Sequence, residues 1–479
     1  MTELNLGSSG PAEPESDPDG LPETGLAAPG PTVSQLLDEA PTSRFHRRAV
    51  LISGMGFFTD AYDLFVIGTV AALVQTQWHL STAATSWVAG SAILAAFVGA
   101  LVFGRIADVL GRKTVYTTVA AIMIVGALAS SFATGPLFLI VARFVLGLGI
   151  GGDYPVSAVL MSEYANRHDR GKLVGLVFSM QALGLIIGPL VALILVSSGL
   201  ADSVTWRILL GLGAVPAAAV VYLRSKMPES PRFVARVKGR AAEAAQQLHL
   251  FAEGALDATS AVDGGTRTMS LGEFLRNKRM LKLALGTAGT WFLFDYAYYG
   301  NTLSLPSILK EVAPHATMQS KLVWTLGIFV IFALPGYLLA VARMDRIGHK
   351  RLQFIGFAVM AVCFGALGLF TGLTTSVVPF LAIFGLSYFF VEFGPNTTTF
   401  VMPSEVFPVS MRTTGHGLAA GIGKLGAFIG VFLVPAWQAR LGLGGMLLVA
   451  AGAAVLGFLL TTILPEPARR SLEEVSGED

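Results

Sequence analysis

The sequence predicts an all-α membrane protein of twelve transmembrane helices in two pseudo-symmetric six-helix bundles, and three observations carry that prediction. Only 13% of the 479 residues are charged while 53% are hydrophobic, too little charge to coat a soluble protein of this length. Twelve apolar stretches long enough to cross a bilayer fall into two groups of six. Short polar motifs recur at equivalent places in the two groups, as an internal duplication requires.

The first six stretches begin near Val50, Trp87, Thr114, Pro136, Lys172 and Trp206, and the second six near Leu281, Leu322, Leu352, Val377, Thr413 and Gly444. A polar segment separates the groups. The expected organisation is a disordered tail over residues 1–43, a bundle over 44–225, a cytoplasmic linker over 226–279, a second bundle over 280–465 and a short tail over 466–479. The first tail is rich in Gly, Pro, Ser, Asp and Glu, a mixture that buries too little apolar surface to order itself. It lacks a basic start, a short apolar run and a small-residue cleavage site, so no cleavable signal is expected.

The 33 Lys plus Arg nearly balance the 31 Asp plus Glu, which gives no argument for a nucleic-acid partner. Their distribution is more informative. If the N-terminus lies inside, Arg105, Arg112, Lys113, Arg167, Arg170, Arg224, Lys226, Arg343, Arg346, Lys350, Arg351 and Arg412 all fall in cytoplasmic connections. The opposite face receives Lys310, Lys321, Arg440 and little else. This bias predicts a multi-pass protein of the plasma or bacterial inner membrane with both termini in the cytoplasm. Cys363 is the only cysteine, so neither a disulfide nor a cysteine-ligated metal site forms within the chain, and no metal or cofactor is expected.

Gly104-Arg-Ile-Ala-Asp108-Val-Leu-Gly111-Arg112-Lys113 lies between the second and third stretches and is echoed by Val341-Ala-Arg-Met-Asp345-Arg-Ile-Gly348-His349-Lys350 between the eighth and ninth. Glu163 precedes Arg170 as Glu405 precedes Arg412, and Pro228-Glu229-Ser230-Pro231-Arg232 matches Pro465-Glu466-Pro467. Any one such motif is ordinary interfacial charge. Three in register predict that Asp108, Arg112, Glu163, Arg170, Asp345, Glu405 and Arg412 form ion pairs and helix-end contacts that close the inward face and break when it opens.

Ionisable side chains inside the apolar stretches cost several kcal/mol unless hydrated or paired, so each one calls for a partner or a task. Asp60 and Asp63 are three residues apart and share a face of the first stretch. In the fourth, Gly151-Gly152-Asp153-Tyr154-Pro155 predicts a helix loosened by the proline, with Asp153 pointing into the centre. In the seventh, Trp291, Asp295 and Tyr299 recur every four residues and form a stripe of donor, acceptor and hydroxyl. Gln181, Glu392, Asn396 and Lys424 add polar groups to the fifth, tenth and eleventh. Gln181 suits interhelical bonding as well as a ligand contact, and Lys424 suits Asp60, Asp63 or Glu392 as a partner.

Gly104 to Lys113 resembles the signature loop of the major facilitator superfamily, and Pro228 to Arg232 resembles a motif of its sugar-porter and phosphate-porter branches. The run from Gly151 to Ala158, followed by Ser162-Glu163, closely resembles the signature of the phosphate:proton symporter family, as do Gly56 to Phe65, Trp291 to Gly300 and Phe393 to Thr398 at their places. That resemblance implies the major facilitator fold and proton-coupled symport of inorganic phosphate by alternating access. It implies phosphate binding by Tyr154, Gln181, Trp291, Asp295, Tyr299 and Asn396, and a proton path along Asp60, Asp63 and Asp153 with Lys424 nearby. The sequence departs from the family pattern at Glu392, where an uncharged amide is usual, and at Val156, where leucine is usual.

A membrane enzyme needs a nucleophile with its base or a metal cluster, and neither stands out; a channel needs no paired gates. The sequence therefore favours a carrier whose partners are phosphate, protons and the lipid bilayer, working as a monomer. A proton symporter of an organic acid or other metabolite, and a substrate sensor that does not transport, are the alternatives.

Overall fold

Span 1 (Arg44–Trp78), span 2 (Thr82–Leu110), span 3 (Arg112–Ser131), span 4 (Pro136–Tyr164), span 5 (Arg170–Ser197) and span 6 (Asp202–Ser225) make up the first bundle. Span 7 (Lys278–Leu303), span 8 (Met318–Ile347), span 9 (His349–Leu369) and span 10 (Val377–Val406) begin the second. A helix of 50 residues, Arg412–Thr461, completes it. Its backbone leaves helical values at Gly442 (φ 69°, ψ 176°), so residues before that point serve as span 11 and residues after it as span 12. The computed structural model describes residue 2, residues 31–251 and residues 268–478.

Ten of the described helices are long and apolar enough to cross a membrane. The break at Gly442 and the 26-residue span 7 account for the expected twelve. Span 7 is long enough, at about 1.5 Å per residue, to exceed a hydrocarbon core of about 30 Å. Its Trp291, Asp295, Tyr296, Tyr298, Tyr299 and Asn301 set it apart from the purely apolar spans.

Spans 2 and 3 meet at Gly111 (φ 105°), and spans 8 and 9 meet at Gly348 (φ 101°). Both need the left-handed region, which side chains with a Cβ adopt only under strain. At each corner a carboxylate lies where a Cβ would stand, Glu229 over Gly111 and Glu466 over Gly348. The duplicated motifs thus build the same corner twice. The arginine-rich connections gather around both corners and make this the basic end of the molecule.

The bundles touch along span 2 against span 11 and along span 5 against span 8. In the first seam Gly104 lies on the Thr413 carbonyl and on Gly417, and Gly417 on the Ala100 carbonyl, with no room for a Cβ at either glycine. Similar contacts draw span 4 onto span 2, where Gly147 and Gly151 press on the carbonyls of Ala92 and Ala96. Van der Waals packing of small residues drives such association in lipid, because there is little hydrophobic gain between helices.

Two expectations are corrected by the backbone. Pro155 does not loosen span 4, which runs without interruption from Pro136 to Tyr164. The irregular backbone lies in span 8, with a π-helical turn at Phe329–Ala333, and in span 10, where Glu392–Asn396 forms another and Gly394 takes φ −115°, ψ −106°. The expected disorder over residues 1–43 does not extend to Val33–Glu39, a helix whose N-terminus Thr32 and Gln35 close with a capping box. Its Val33 and Leu37 are buried, and its Asp38 pairs with Arg170 and Arg232. Composition averaged over the whole tail hides these local sources of order. The remainder of that tail, residues 1 and 3–30, lies outside the described residues.

The linker contains helices Pro231–Arg236, Ala241–Phe251 and Leu271–Arg276, and residues 252–267 lie outside the described residues. The C-terminal segment carries a short helix, Leu472–Ser476, that buries Leu472 and Val475.

The packing of span 4 on span 2 leads to a direct test. Gly151→Ala places a methyl group against backbone that cannot swing away, an overpacking cost of about 1–3 kcal/mol. The purified protein should therefore melt at a lower temperature in detergent. Gly365→Ala, with nothing within 4 Å of the added carbon, should melt with the parent protein.

Candidate functional site

A single chain of side-chain hydrogen bonds crosses from one bundle to the other at mid-span. Tyr154 donates to Asp60 Oδ2 at 2.5 Å, and Gln181 Nε2 donates to the Tyr154 hydroxyl at 3.0 Å. From the second bundle, Tyr337 donates to Gln181 Oε1 at 3.0 Å and Asn396 Nδ2 donates to the Tyr337 hydroxyl at 2.8 Å. Asn396 also donates to Glu392 Oε2, and Glu392 Oε1 accepts from Tyr298 at 3.0 Å. The π turn of span 10 brings Glu392 and Asn396 to the same inner face. No member of the chain is more than 4% exposed.

Beside it stands the predicted stripe of span 7. Lys424 Nζ donates to the Tyr299 hydroxyl at 2.8 Å and lies 3.6 Å from Asp295 Oδ2. The same ammonium sits 4.4 Å from the centre of the Tyr154 ring and 4.3 Å from that of Tyr299, so cation–π attraction ties it to both bundles. The Trp291 ring lies 6.0 Å from that of Tyr154 and packs against Gly423, where a Cβ would clash. Two carboxylate oxygens here, Asp60 Oδ1 and Asp295 Oδ2, are buried and accept no hydrogen bond. Such groups are costly unless a ligand or proton satisfies them.

The structure therefore brings together Asp60, Tyr154, Gln181, Trp291, Asp295, Tyr299, Asn396 and Lys424. It does not bring Asp63 or Asp153 into the same cluster. Arg143 donates to both oxygens of Asp63, at 3.2 and 3.0 Å. Arg224 donates to both oxygens of Asp153, at 2.6 and 3.0 Å, and Ser157 donates to Oδ1 at 3.1 Å. The expectation that Asp153 points into the centre is thus corrected, because a forked guanidinium inside the first bundle takes both its oxygens. Arg224 is likewise no loop residue: it is 1% exposed and stacks 4.2 Å over the Tyr116 ring. The direct ion-pair partner of Lys424 is Asp295, and of the three expected partners only Asp60 lies near enough to feel its charge.

The residues expected to form the gate meet at the basic end. Asp108 accepts from the Thr413 and Thr414 amides at 3.3 and 2.6 Å and from the Thr414 hydroxyl at 2.7 Å, and lies 3.0 Å from Arg112. Asp345 accepts from the Gly171 and Lys172 amides at 3.1 and 2.7 Å. Each carboxylate caps the first turn of a helix in the opposite bundle, where unpaired amides and the helix dipole favour negative charge. Glu163 lies between Arg112 and Arg412, at 3.3 and 3.2 Å, and Glu405 lies 3.0 Å from His349. Arg170 reaches Asp38 at 2.8 Å and the Arg470 carbonyl at 2.9 Å.

Arg232 joins the two terminal segments, at 2.6 Å from Asp38 and 2.6 Å from Glu473. Burial pushes the Glu473 carboxyl up, yet Arg232, Arg236 and Arg412 outweigh it and hold the group well below the usual carboxylate range. Its depressed value means that the stabilisation is present above the ordinary glutamate range and is lost only in strong acid. At the opposite end a cavity of 40 Å³ enters between the bundles, lined by Phe65, Thr69, Thr302, Leu322 and Phe329 among others.

Sequence reading missed Tyr298, Tyr337, Arg143 and Arg224. Arg143 and Arg224 pair with carboxylates on other spans, Asp63 and Asp153, so spacing along one helix gives no signal for either. Tyr337 likewise carries no signal, being one tyrosine in an apolar stretch.

Two bundles of six helices, sealed at one end by reciprocal polar contacts around a buried polar centre, define a multi-pass membrane transporter of the major facilitator fold. The family model described as sugar (and other) transporter matches residues 49–478, and the chain belongs to that family. Curated relatives include a probable inorganic phosphate transporter 1-6 of Arabidopsis thaliana, 36% identical over 93% of this chain and 96% of the relative. A low affinity inorganic phosphate transporter 4 of Petunia hybrida is 36% identical over 95% and 96% of the two chains. A putative inorganic phosphate transporter 1-13 of Oryza sativa subsp. japonica is 38% identical over 93% and 94%. Among solved structures, the proton:xylose symporter XylE bound to 6-bromo-6-deoxy-D-glucose superposes with a TM-score of 0.79 at 21% identity, over 91% of this chain and all of that one. The likeness establishes the shared fold.

Removing one member of a buried ion pair strands the other, at about 3–5 kcal/mol. Arg224→Met should therefore lower the melting temperature strongly, and adding Asp153→Asn to it should recover much of the loss. Additive losses in the double variant would show that the pair does not hold span 6 to span 4.

Proposed function

We propose that this chain is a secondary active transporter that carries inorganic phosphate together with protons by alternating access. The basic end faces the cytoplasm of a cell membrane, both termini lie there, and a single chain forms the transport path. The relatives named as inorganic phosphate transporters support the substrate, and the arginine-rich connections support the orientation.

The observation that carries the reading is the pairing of one ammonium with carboxylate oxygens that lack donors. An anion needs positive charge, which Lys424 supplies. Dihydrogen phosphate also carries hydroxyl groups, which donate to carboxylates. Asp295 Oδ2 is buried, lacks a donor and lies 3.6 Å from that ammonium, so an anion drawn to Lys424 meets an acceptor for its own protons. Tyr154, Gln181, Trp291, Tyr299 and Asn396 surround the same point and supply donors to the remaining oxygens. Opening that admits phosphate exchanges some of their mutual bonds for bonds to the ligand.

Asp60 carries the coupling proton in this reading. It forms no direct ion pair among the described residues, and its Oδ1 is free to take a proton without breaking the bond from Tyr154. Proton uptake there removes a negative charge before a second anion enters, and release after the basic end opens restores it. Asp63 and Asp153, each gripped by an arginine, position spans 1 and 4. The gate residues hold the cytoplasmic face shut while the site is loaded from outside.

Labelled phosphate should accumulate in proteoliposomes of the full chain under an inward proton gradient and fail to accumulate without one. Accumulation that ignores the gradient would exclude symport, and accumulation of an organic acid in its place would favour that substrate class. Asp295→Asn should lower phosphate uptake by about tenfold or more and narrow the preference over sulfate, which has no hydroxyl at neutral pH. Unchanged uptake with unchanged sulfate exclusion would remove Asp295 from the binding site.

A further inference from the structure

Five carboxylates lie at mid-span among the described residues, and they divide by whether a cation answers them. Asp63 has Arg143, Asp153 has Arg224 and Asp295 has Lys424. Asp60 and Glu392 form no direct ion pair, Asp60 feeling the Lys424 ammonium only at a distance and Glu392 feeling no cation. They stand in different bundles, at the two ends of the hydrogen-bonded chain that joins the bundles. Asn396 makes this possible by spending its two amide protons in opposite directions, one toward Tyr337 and so toward Asp60, the other on Glu392. Both carboxylates are therefore terminal acceptors of one continuous chain.

Among the described residues, the surroundings of Glu392 offer no positive charge. Span 7 faces it with Tyr298, span 8 with Tyr337 and the backbone at Gly336, and its own helix with Tyr388 and Asn396. Span 9 meets this turn of span 10 with Gly356, which presses on Gly394 and Pro395. The one histidine of the region, His416, bonds to the Phe400 carbonyl and packs against Trp291, away from Glu392. A carboxylate at this depth without a cation is expensive as an anion. Where the family resemblance leads one to expect an amide, which never ionises, this chain has an acid.

Charge balance at the centre leads to the same place. With every group ionised, the polar centre holds one ammonium, Lys424, against three carboxylates, Asp60, Asp295 and Glu392, an excess of negative charge before any anion arrives. One proton on Asp60 removes part of that excess. A second on Glu392 removes the rest, so that an entering anion meets a neutral site.

The geometry points to Glu392 as a second proton-carrying carboxylate, so that each phosphate moves with two protons, one on Asp60 and one on Glu392. This rests on the reading of the chain as a proton-coupled phosphate carrier. A proton from the outer solution adds to a Glu392 carboxylate oxygen, giving a neutral acid. After the basic end opens, the same proton leaves to the cytoplasm and the carboxylate resumes its bonds from Tyr298 and Asn396.

The test counts protons at zero flux. In proteoliposomes clamped at zero membrane potential, the phosphate gradient that just halts net movement is measured against the imposed pH difference. Each coupled proton adds a factor of about ten in that gradient per pH unit. The parent protein should give a logarithmic slope of about two, Glu392→Gln about one, and Glu392→Asp about two again. Slower transport from a merely structural defect changes the rate and leaves the slope alone. A slope in Glu392→Gln equal to that of the parent overturns the inference while leaving symport intact, whereas a parent that shows no pH-driven phosphate movement overturns the symport reading itself. Should Glu392→Gln not transport at all, proton uptake on adding phosphate to the purified parent protein in weak buffer decides. About two protons per bound phosphate supports the inference, and about one overturns it.

Discussion

Two carboxylates, each seated on the first amides of a helix in the opposite bundle, set the condition for everything else in this molecule. Asp108 sits on the start of span 11 and Asp345 on the start of span 5, and each uses the positive end of that helix as its counter-charge. The contacts are directional and short-ranged, so they hold while the basic end is closed and vanish together once the bundles separate. Glu163, shared by Arg112 and Arg412, and Arg232, shared by Asp38 and Glu473, lie across the same boundary. The buried chain from Asp60 to Glu392 is sealed from that side only as long as these contacts stand. Their strength sets how much of the protein is closed at rest.

The charges inside the spans serve two different ends. Arginine-paired carboxylates such as Asp63 and Asp153 are held by two-pronged bonds, which fix helix position and leave little freedom to exchange a proton. The central carboxylates have looser surroundings: Lys424 lies beyond hydrogen-bonding distance of Asp295, and the one side chain that donates to Asp60 is a tyrosine. The first bundle thus keeps its rigid pairs in its own interior and leaves the less satisfied groups at the boundary with the second. Alternating access needs that arrangement, since only groups at the boundary meet both sides of the membrane in turn.

Much of this is legible in the order of the amino acids. The duplicated loop motifs announce the contacts at the basic end because the same helix-end arrangement is encoded twice in register, and Trp291, Asp295 and Tyr299 stand out because the helical period puts them on one face. What escapes is partnership between distant residues. Arg224 stands near a helix end, where counting charges for orientation assigns it to a loop, and only the packing of span 6 on spans 1 and 3 turns it inward to Asp153. Placing Asp153 at the centre fails for that one reason. Tyr298 and Tyr337 escape because a tyrosine in an apolar helix costs little and so announces nothing. Pro155 misleads because the helix absorbs it, while the irregular turn of span 10 falls at Gly394 and Pro395, where a glycine permits the backbone to leave helical values.

The seam between spans 2 and 11 bears on how the bundles move. Helices normally meet with ridges of side chains set into grooves, and turning one against the other lifts those teeth out of register. Gly104 and Gly417 bring backbone directly onto backbone, leaving no teeth to disengage along that stretch. Such a surface behaves as a plain bearing: the area in contact changes little as the angle changes, so tilting meets little resistance from packing. Along that stretch the resistance to rocking then falls to the polar groups of the basic end and to whatever occupies the middle, which gives a bound ion and a few protons leverage over the motion of two six-helix bodies.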